Sequence, residues 1–202
     1  MTGPAAQAIA HLQIAEAGKL AALRGDHRAA LGHYREAIRL AVTSGAPEVF
    51  FRHYLEATLE SLELSEAFDD VLAYCDRAIA HYVEHPPANV LAELDLASIH
   101  QRRGVILVKR SEVAPARAAL EQAVAGAARI GVRLELSERV LDWIRRGLAV
   151  TGPRLLAEQR RLRYFSVRPD TVGLVPAGGS SASSPPTPSP EGDAPCRSTT
   201  AS

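Results

Sequence analysis

The sequence predicts an all-α fold of stacked helical hairpins, and three observations lead there. Residues 25–40, GDHRAALGHYREAIRL, read as a turn followed by a helix with small and aromatic residues at fixed spacings. Two later stretches repeat the pattern, so that turns fall near residues 25, 66 and 111. The composition is rich in Ala, Leu and Arg and poor in aromatics, and 202 residues suffice for one domain or a small array with a real core.

A first helix is predicted over residues 4–23, with Ile9, Leu12, Ala17, Leu20 and Leu23 as its apolar stripe. Gly18 inside it costs about 1 kcal/mol against Ala, which close approach of a partner helix offsets. Gly25 and Asp26 make the turn, and Asp26 caps the second helix by accepting backbone N–H bonds. In that helix Ala30, Tyr34, Ala37 and Ile38 share one face. Ser44, Gly45, Ala46 and Pro47 end the unit.

The third helix is predicted from Pro47 to about Leu64, with Phe51, Leu55, Leu59 and Leu62 facing inward. After a turn at 65–68, the fourth carries Phe68, Val71, Leu72, Cys75, Ala78 and Ile79. It stops at His85, Pro86 and Pro87, where proline forbids continuation. The third unit starts at Asn89, and Leu91, Leu94, Leu96, Ile99, Val105, Ile106 and Leu107 supply its apolar surface. Gly104 takes the place of Gly18, Ser111 caps the sixth helix, and Pro115 falls in the first turns, where a missing N–H is tolerated. Ala116, Leu120, Ala123 and Val124 repeat the small–large–small face. A seventh helix, 133–150, carries Leu136, Val140, Trp143, Ile144 and Leu148. Gly152 and Pro153 separate it from an eighth, 154–166. These two are expected to cover the last apolar face of the stack, with Trp143 packed there. Residues 1–168 therefore form the helical domain and 169–202 a Pro/Ser-rich tail. From 177 to 202 almost no large apolar residue occurs, so that stretch is expected to be disordered.

The three units resemble tetratricopeptide repeats (TPR), whose pattern is a small residue in the first helix, a turn, then small, aromatic and small positions along the second. Unit one matches through Gly18, Gly25, Asp26, Ala30, Tyr34 and Ala37. Unit two matches through Phe68, Cys75 and Ala78, with Val71 where Ala is usual and Leu59 where Gly is usual. Unit three matches through Gly104, Ala116, Leu120 and Ala123. The turns stand 41 and 45 residues apart, against roughly 34 in the family, which implies longer helices or longer inter-repeat turns. The resemblance covers roughly residues 5–130. It implies antiparallel helical hairpins stacked into a right-handed superhelix, and a protein–protein interaction scaffold or adaptor rather than an enzyme.

The resemblance also places the first helix of each hairpin along a concave groove. Carried over, that groove includes Lys19, His53, Glu56, Glu60, Glu63, Gln101 and Lys109. Family members that clamp a partner's terminal carboxylate use Lys and Asn there. This chain instead aligns His53, Glu56, Glu60 and Glu63 at spacings of three, four and three on one helical face. Three carboxylates in a row favour a basic or extended partner segment through charge-assisted hydrogen bonds. The alternative is a solvated helix face without a partner.

Charge is zero overall, which gives no general reason to expect nucleic acid or a membrane surface. It is nonetheless uneven: acids dominate residues 45–100 and arginines dominate from Arg102 on. Complementary halves allow self-association head to tail, or a last helix folded back on the acidic region. A nucleic-acid or anionic-surface binder using the arginines from 145 to 168 is the alternative function, and a solvated cap helix the simplest reading. No phosphate-cradling glycine loop, nucleophile elbow or paired metal motif is present, and no cofactor is expected. His81 and His85 stand four apart without an evident third ligand, and Asp69 and Asp70 suit a helix first turn. The N-terminus lacks a basic start followed by an apolar run, no run approaches roughly 18 apolar residues, and Cys75 and Cys196 lie far apart. A cytoplasmic location is expected. Ser184-Pro185, Thr187-Pro188 and Ser189-Pro190 make a segment that favours polyproline II and suits docking or phosphorylation, or else plain disorder.

Overall fold

Helix punctuation by glycine, proline and capping side chains decides the architecture. The computed structural model describes residues 4–173, without the side chains of residues 4–9. The Cys196 and Ser/Thr-Pro positions of the tail lie outside the described residues. Those described form eight α-helices and one 3₁₀ turn, with no strand: α1 (Pro4–Leu23), α2 (His27–Thr43), α3 (Glu48–Leu64), α4 (Phe68–Glu84), α5 (Val90–Lys109), α6 (Val113–Arg129), α7 (Glu135–Arg145), α8 (Gly152–Arg161) and Pro169–Thr171. No described helix is long and apolar enough to cross a membrane.

The three hairpin turns are one structure used three times. Gly25, Glu66 and Ser111 each take a left-handed backbone, with φ of 82°, 61° and 64°. The next amide then reaches back to the preceding helix: Asp26 N–H to Ala21 O at 3.0 Å, Ala67 to Leu62 at 2.9 Å, Glu112 to Leu107 at 2.9 Å. This closes each helix by satisfying carbonyls left free at its end. Glycine takes up that conformation without strain, whereas Glu66 and Ser111 accept it at a cost of about 1–2 kcal/mol each. Ser111 is thus the left-handed turn residue and not the predicted cap of α6. Glu112 holds the cap position and makes no side-chain bond there. Asp26 does cap α2, accepting from Ala29 N–H at 3.0 Å, and Asn89 does the same for α5 through Ala92.

Glycine notches set the spacing within hairpins one and three. A Cβ placed on Gly18 would stand 2.6 Å from Tyr34 Cε1, and one on Gly104 would stand 2.6 Å from Leu120 Cγ. The facing residues Ala30, Tyr34, Ala37, Ala116, Leu120 and Ala123 are fully buried. In hairpin two, Leu59 fills the place of the glycine and packs on Val71 and Cys75. Its two backbones consequently approach less closely than those of α1–α2 or α5–α6. From α1 to α7 each helix packs on its successor, and α1–α3 and α5–α7 touch as well.

Three predicted faces are corrected by this packing. On α1 the residues facing the fold are His11, Ala15, Gly18, Lys19 and Ala21, while Leu12, Leu20 and Leu23 are exposed, since so close an approach to α2 leaves no room for leucines. On α3, Phe51 is exposed. Leu55, Leu59 and Leu62 pack toward α4, and the opposite side of α3, with Tyr54 and Ala57, packs on Ala15, Ala21, Ala30 and Ala37 of α1 and α2. Helix α3 is therefore sandwiched. At the C-terminal end α7 stops at Arg145 because Gly147 turns left-handed (φ 67°), which leaves Leu148 exposed. Gly152 and Pro153 start α8 instead of merely separating two helices, and α8 ends at Arg161. Leu136, Val140, Leu141, Trp143 and Leu155 of the two helices bury against Val105, Leu107 and Leu120, with Arg154 lying 4.2 Å over the Trp143 ring.

If the notches set helix spacing, Gly104→Ala will destabilise the fold by about 1–3 kcal/mol by overpacking Leu120. Gly32, also helical, has nothing within 4 Å of its would-be Cβ. Gly32→Ala will stabilise by about 0.5–1 kcal/mol through backbone entropy alone. Urea unfolding of the two variants checks the opposite signs.

Candidate functional site

The predicted groove residues sit on the first helices of the three hairpins, and the chain's own C-terminal segment lies across them. Glu63, near the end of α3, is fully buried. Its carboxylate is 2.8 Å from Lys109 Nζ and 3.5 Å from Arg102 Nη1, both on α5. It also accepts from Gln159 Nε2 of α8 at 2.6 Å and from the Tyr164 hydroxyl at 3.0 Å. Glu56, two helical turns back, is half exposed and takes Arg102 Nη2 at 2.5 Å. The formal charges of Glu56, Glu63, Arg102 and Lys109 cancel, so the set is neutral when all four are ionised. Burial alone would lower the pKa of Arg102, but Tyr164, Glu56, Glu63 and Glu60 more than offset this and hold it charged. Its guanidinium also stands 5.5 Å over the Tyr164 ring.

Glu60 does something different with its charge. It is buried and accepts two consecutive main-chain amides, Ser166 N–H at 2.5 Å and Val167 N–H at 3.0 Å. Burial pushes its carboxyl pKa up, and the two amides pull the other way by favouring the anion. Further along, Lys19 of α1 bonds Glu16 at 2.7 Å and donates to the Thr171 carbonyl at 3.2 Å, while Glu16 accepts Gly173 N–H at 2.8 Å. Residues 164–173 therefore cross α5, α3 and α1 in turn: Tyr164 at Arg102, Ser166 and Val167 at Glu60, Thr171 and Gly173 at Lys19 and Glu16. Phe165 is buried, and Val167 packs on the Ala21–Ala30–Tyr34–Ala57 cluster.

No protein-family model, no curated protein and no solved structure matches this chain.

Of the predicted residues, the structure brings Glu56, Glu63 and Lys109 into one cluster, sets Glu60 beside it, and joins Lys19 through the crossing segment. His53 is half-buried beside Tyr54, with ring centroids 6.2 Å apart, and burial lowers its pKa, with Lys19 acting in the same direction. Gln101 accepts the Ser137 hydroxyl at 2.9 Å and so ties α5 to α7. It also lines a cavity of about 270 Å³, with Glu56, Asp95, Arg102 and Tyr164. Glu60 and Glu63 are buried and so do not belong to a solvated face. The segment on the carboxylates offers amides and a phenol, whereas the cations come from α5. Reasoning from sequence missed Arg102, Gln159, Tyr164 and Glu16. Arg102 left a signal: it falls between Ile99 and Ile106 at spacings of three and four, a charge on an apolar stripe.

Part of the uneven charge is paired within the chain. Besides Arg102, Arg103 pairs with Asp76, Arg110 with Asp69, and Arg129 with Glu93. Four of the C-terminal arginines are also engaged: Arg146 with Asp142, Arg161 with Glu158, Arg168 with Asp170, and Arg154 on Trp143. His81 and His85 stack with ring centroids 4.6 Å apart, and among the described residues no group of three His, Cys, Asp or Glu is arranged around a metal position. Cys75 is buried, which pushes its thiol up to about 12.

Removing the Glu63 side chain leaves Lys109 without its carboxylate and takes the shared acceptor from Gln159 and Tyr164 in a buried site, while Arg102 keeps Glu56. Glu63→Ala will cost about 3–5 kcal/mol, while Glu56→Ala, at a half-exposed carboxylate, will cost about 1 kcal/mol or less. Denaturant titration of both variants separates them.

Proposed function

We propose that the chain is a non-catalytic scaffold of the tetratricopeptide type, an adaptor that binds an extended segment of a partner protein. In this reading the three hairpins stack as a right-handed superhelix, and the concave face formed by α1, α3 and α5 is the binding face. One observation supports it most. That face already holds a polypeptide segment across all three helices, largely through main-chain atoms: the amides of Ser166 and Val167 on Glu60, the carbonyl of Thr171 on Lys19, and the amide of Gly173 on Glu16. Recognition through main-chain groups gives affinity without dictating sequence, and neighbouring side-chain seats supply preference.

A photocrosslinking residue at His53 or Gln101, on the groove, will join covalently to a partner protein in cells. The same residue at Val83, exposed on the second helix of hairpin two, will not. Equal adducts from Val83, or none from either groove position, contradict this function.

A further inference from the structure

Two sets of bonds meet in the groove, and they are separable. The first set ties the helical frame: Glu63 to Lys109 and Arg102, and Gln159 of α8 to Glu63. Its partners all lie on α3, α5 and α8, none in residues 164–173. The second set holds residues 164–173: Tyr164 to Glu63, Ser166 and Val167 to Glu60, Thr171 to Lys19, Gly173 to Glu16. The chain leaves α8 at Arg163, whose left-handed backbone (φ 54°) turns it into the groove. From there the anchoring side chains are Tyr164, Phe165 and Val167, while Pro169, Asp170 and Gly173 lie exposed.

We propose that residues 164–173 are a built-in occupant of the groove, which the partner segment must displace and whose chemistry the partner copies. The inference rests on the function proposed above and adds the partner's class and the control of access. The partner is an extended segment with an aromatic pair, then a small and a β-branched residue, in the pattern of Tyr164-Phe165-Ser166-Val167. Each feature answers a group in the groove. A phenol reaches Glu63 and lies under Arg102. The second aromatic ring fills the seat that buries Phe165. Two consecutive residues other than proline supply the amides for Glu60, and a β-branched side chain packs on the alanine cluster where Val167 sits. A carbonyl five residues after the second aromatic residue's neighbour Ser166 faces Lys19. The buried carboxylate of Glu60 makes occupancy obligatory in one sense: an emptied groove must rehydrate it, so either the chain's own segment or a partner's serves it best. Apparent affinity for a partner is therefore reduced by the fraction of molecules whose own segment is seated.

The test uses the full chain and, as probe, a fluorescent peptide with the sequence of residues 162–173. Ser166→Pro combined with Val167→Pro deletes both amides that Glu60 accepts. That variant will bind the peptide at least about tenfold more tightly than the unaltered chain, read by anisotropy. Adding Glu60→Gln will reduce the gain by about tenfold, as expected for loss of a charge-assisted acceptor. Phe165→Asp, which leaves the main chain untouched, is the second route to an open groove and will show the same gain. Equal peptide binding by the unaltered and opened chains overturns the proposal. So does loss of the helical fold in both opened variants, because residues 164–173 would then belong to the frame. If the opened chains gain no affinity while crosslinks from His53 or Gln101 persist, the built-in occupant fails and the groove's function stands. Loss of those crosslinks removes both.

Discussion

The carboxylate of Glu63, out of reach of solvent, is where the molecule is tied together. Helix α5 reaches it with Lys109 and Arg102, α8 with Gln159, and the crossing segment with Tyr164. A buried ion pair contributes little net stability compared with apolar packing, yet a buried charge left alone is costly. That asymmetry makes it a device of arrangement. α3, α5 and α8 satisfy Glu63 in one register, and any slip leaves a charge without a partner. Glu60, three residues away on the same face, extends the arrangement to residues 166 and 167.

Around that tie the helices are spaced by small side chains. Gly18 against Tyr34 and Gly104 against Leu120 draw the first and third hairpins close, and a left-handed residue at 25, 66 and 111 reverses the chain in all three. The second hairpin departs from this, with Leu59 in place of glycine. It is also the hairpin whose first helix carries Glu56, Glu60 and Glu63. Its other side packs on α1 and α2 through Tyr54, which bonds His11 at 2.7 Å. Helix α3 is thus covered by α2, α4 and α1, and the strip it leaves toward α5 is the strip that carries the carboxylates.

The fold was legible where local chemistry decides it. Gly25 and Asp26, the Pro86-Pro87 stop, and the Ala30–Tyr34–Ala37 spacing each act within a turn or two of helix, and each performs as its residue type requires. What covers a face was not legible from periodicity. Spacing put Glu56, Glu60 and Glu63 on one side of α3, but what covers Glu60 and Glu63 arrives from about a hundred residues later, at Gln159, Tyr164 and Ser166. The leucines of α1 misled for a related reason: hydrophobicity marked Leu12 and Leu20 as inward, whereas the notch geometry selects alanine and glycine. The eighth helix was predicted to run on to residue 166. Tyr164 N–H instead reaches back to Gln159 O at 2.9 Å and closes the helix, freeing Phe165 to bury. Charge asymmetry did point toward a C-terminal region folded back on the acids. It suggested arginine as the visitor, while the groove takes a glutamine, a phenol and two amides and draws its cations from α5.

Amide hydrogen exchange at Ser166 and Val167 tests the central claim, that Glu60 and Glu63 line a groove holding a length of polypeptide. Both amides should exchange about a hundredfold or more slowly than in an unstructured peptide, yet faster than core amides of α3 such as Ala57 if, as proposed, the segment opens without unfolding the helices. Exchange at the free-peptide rate would show that nothing holds the segment there and would contradict the account.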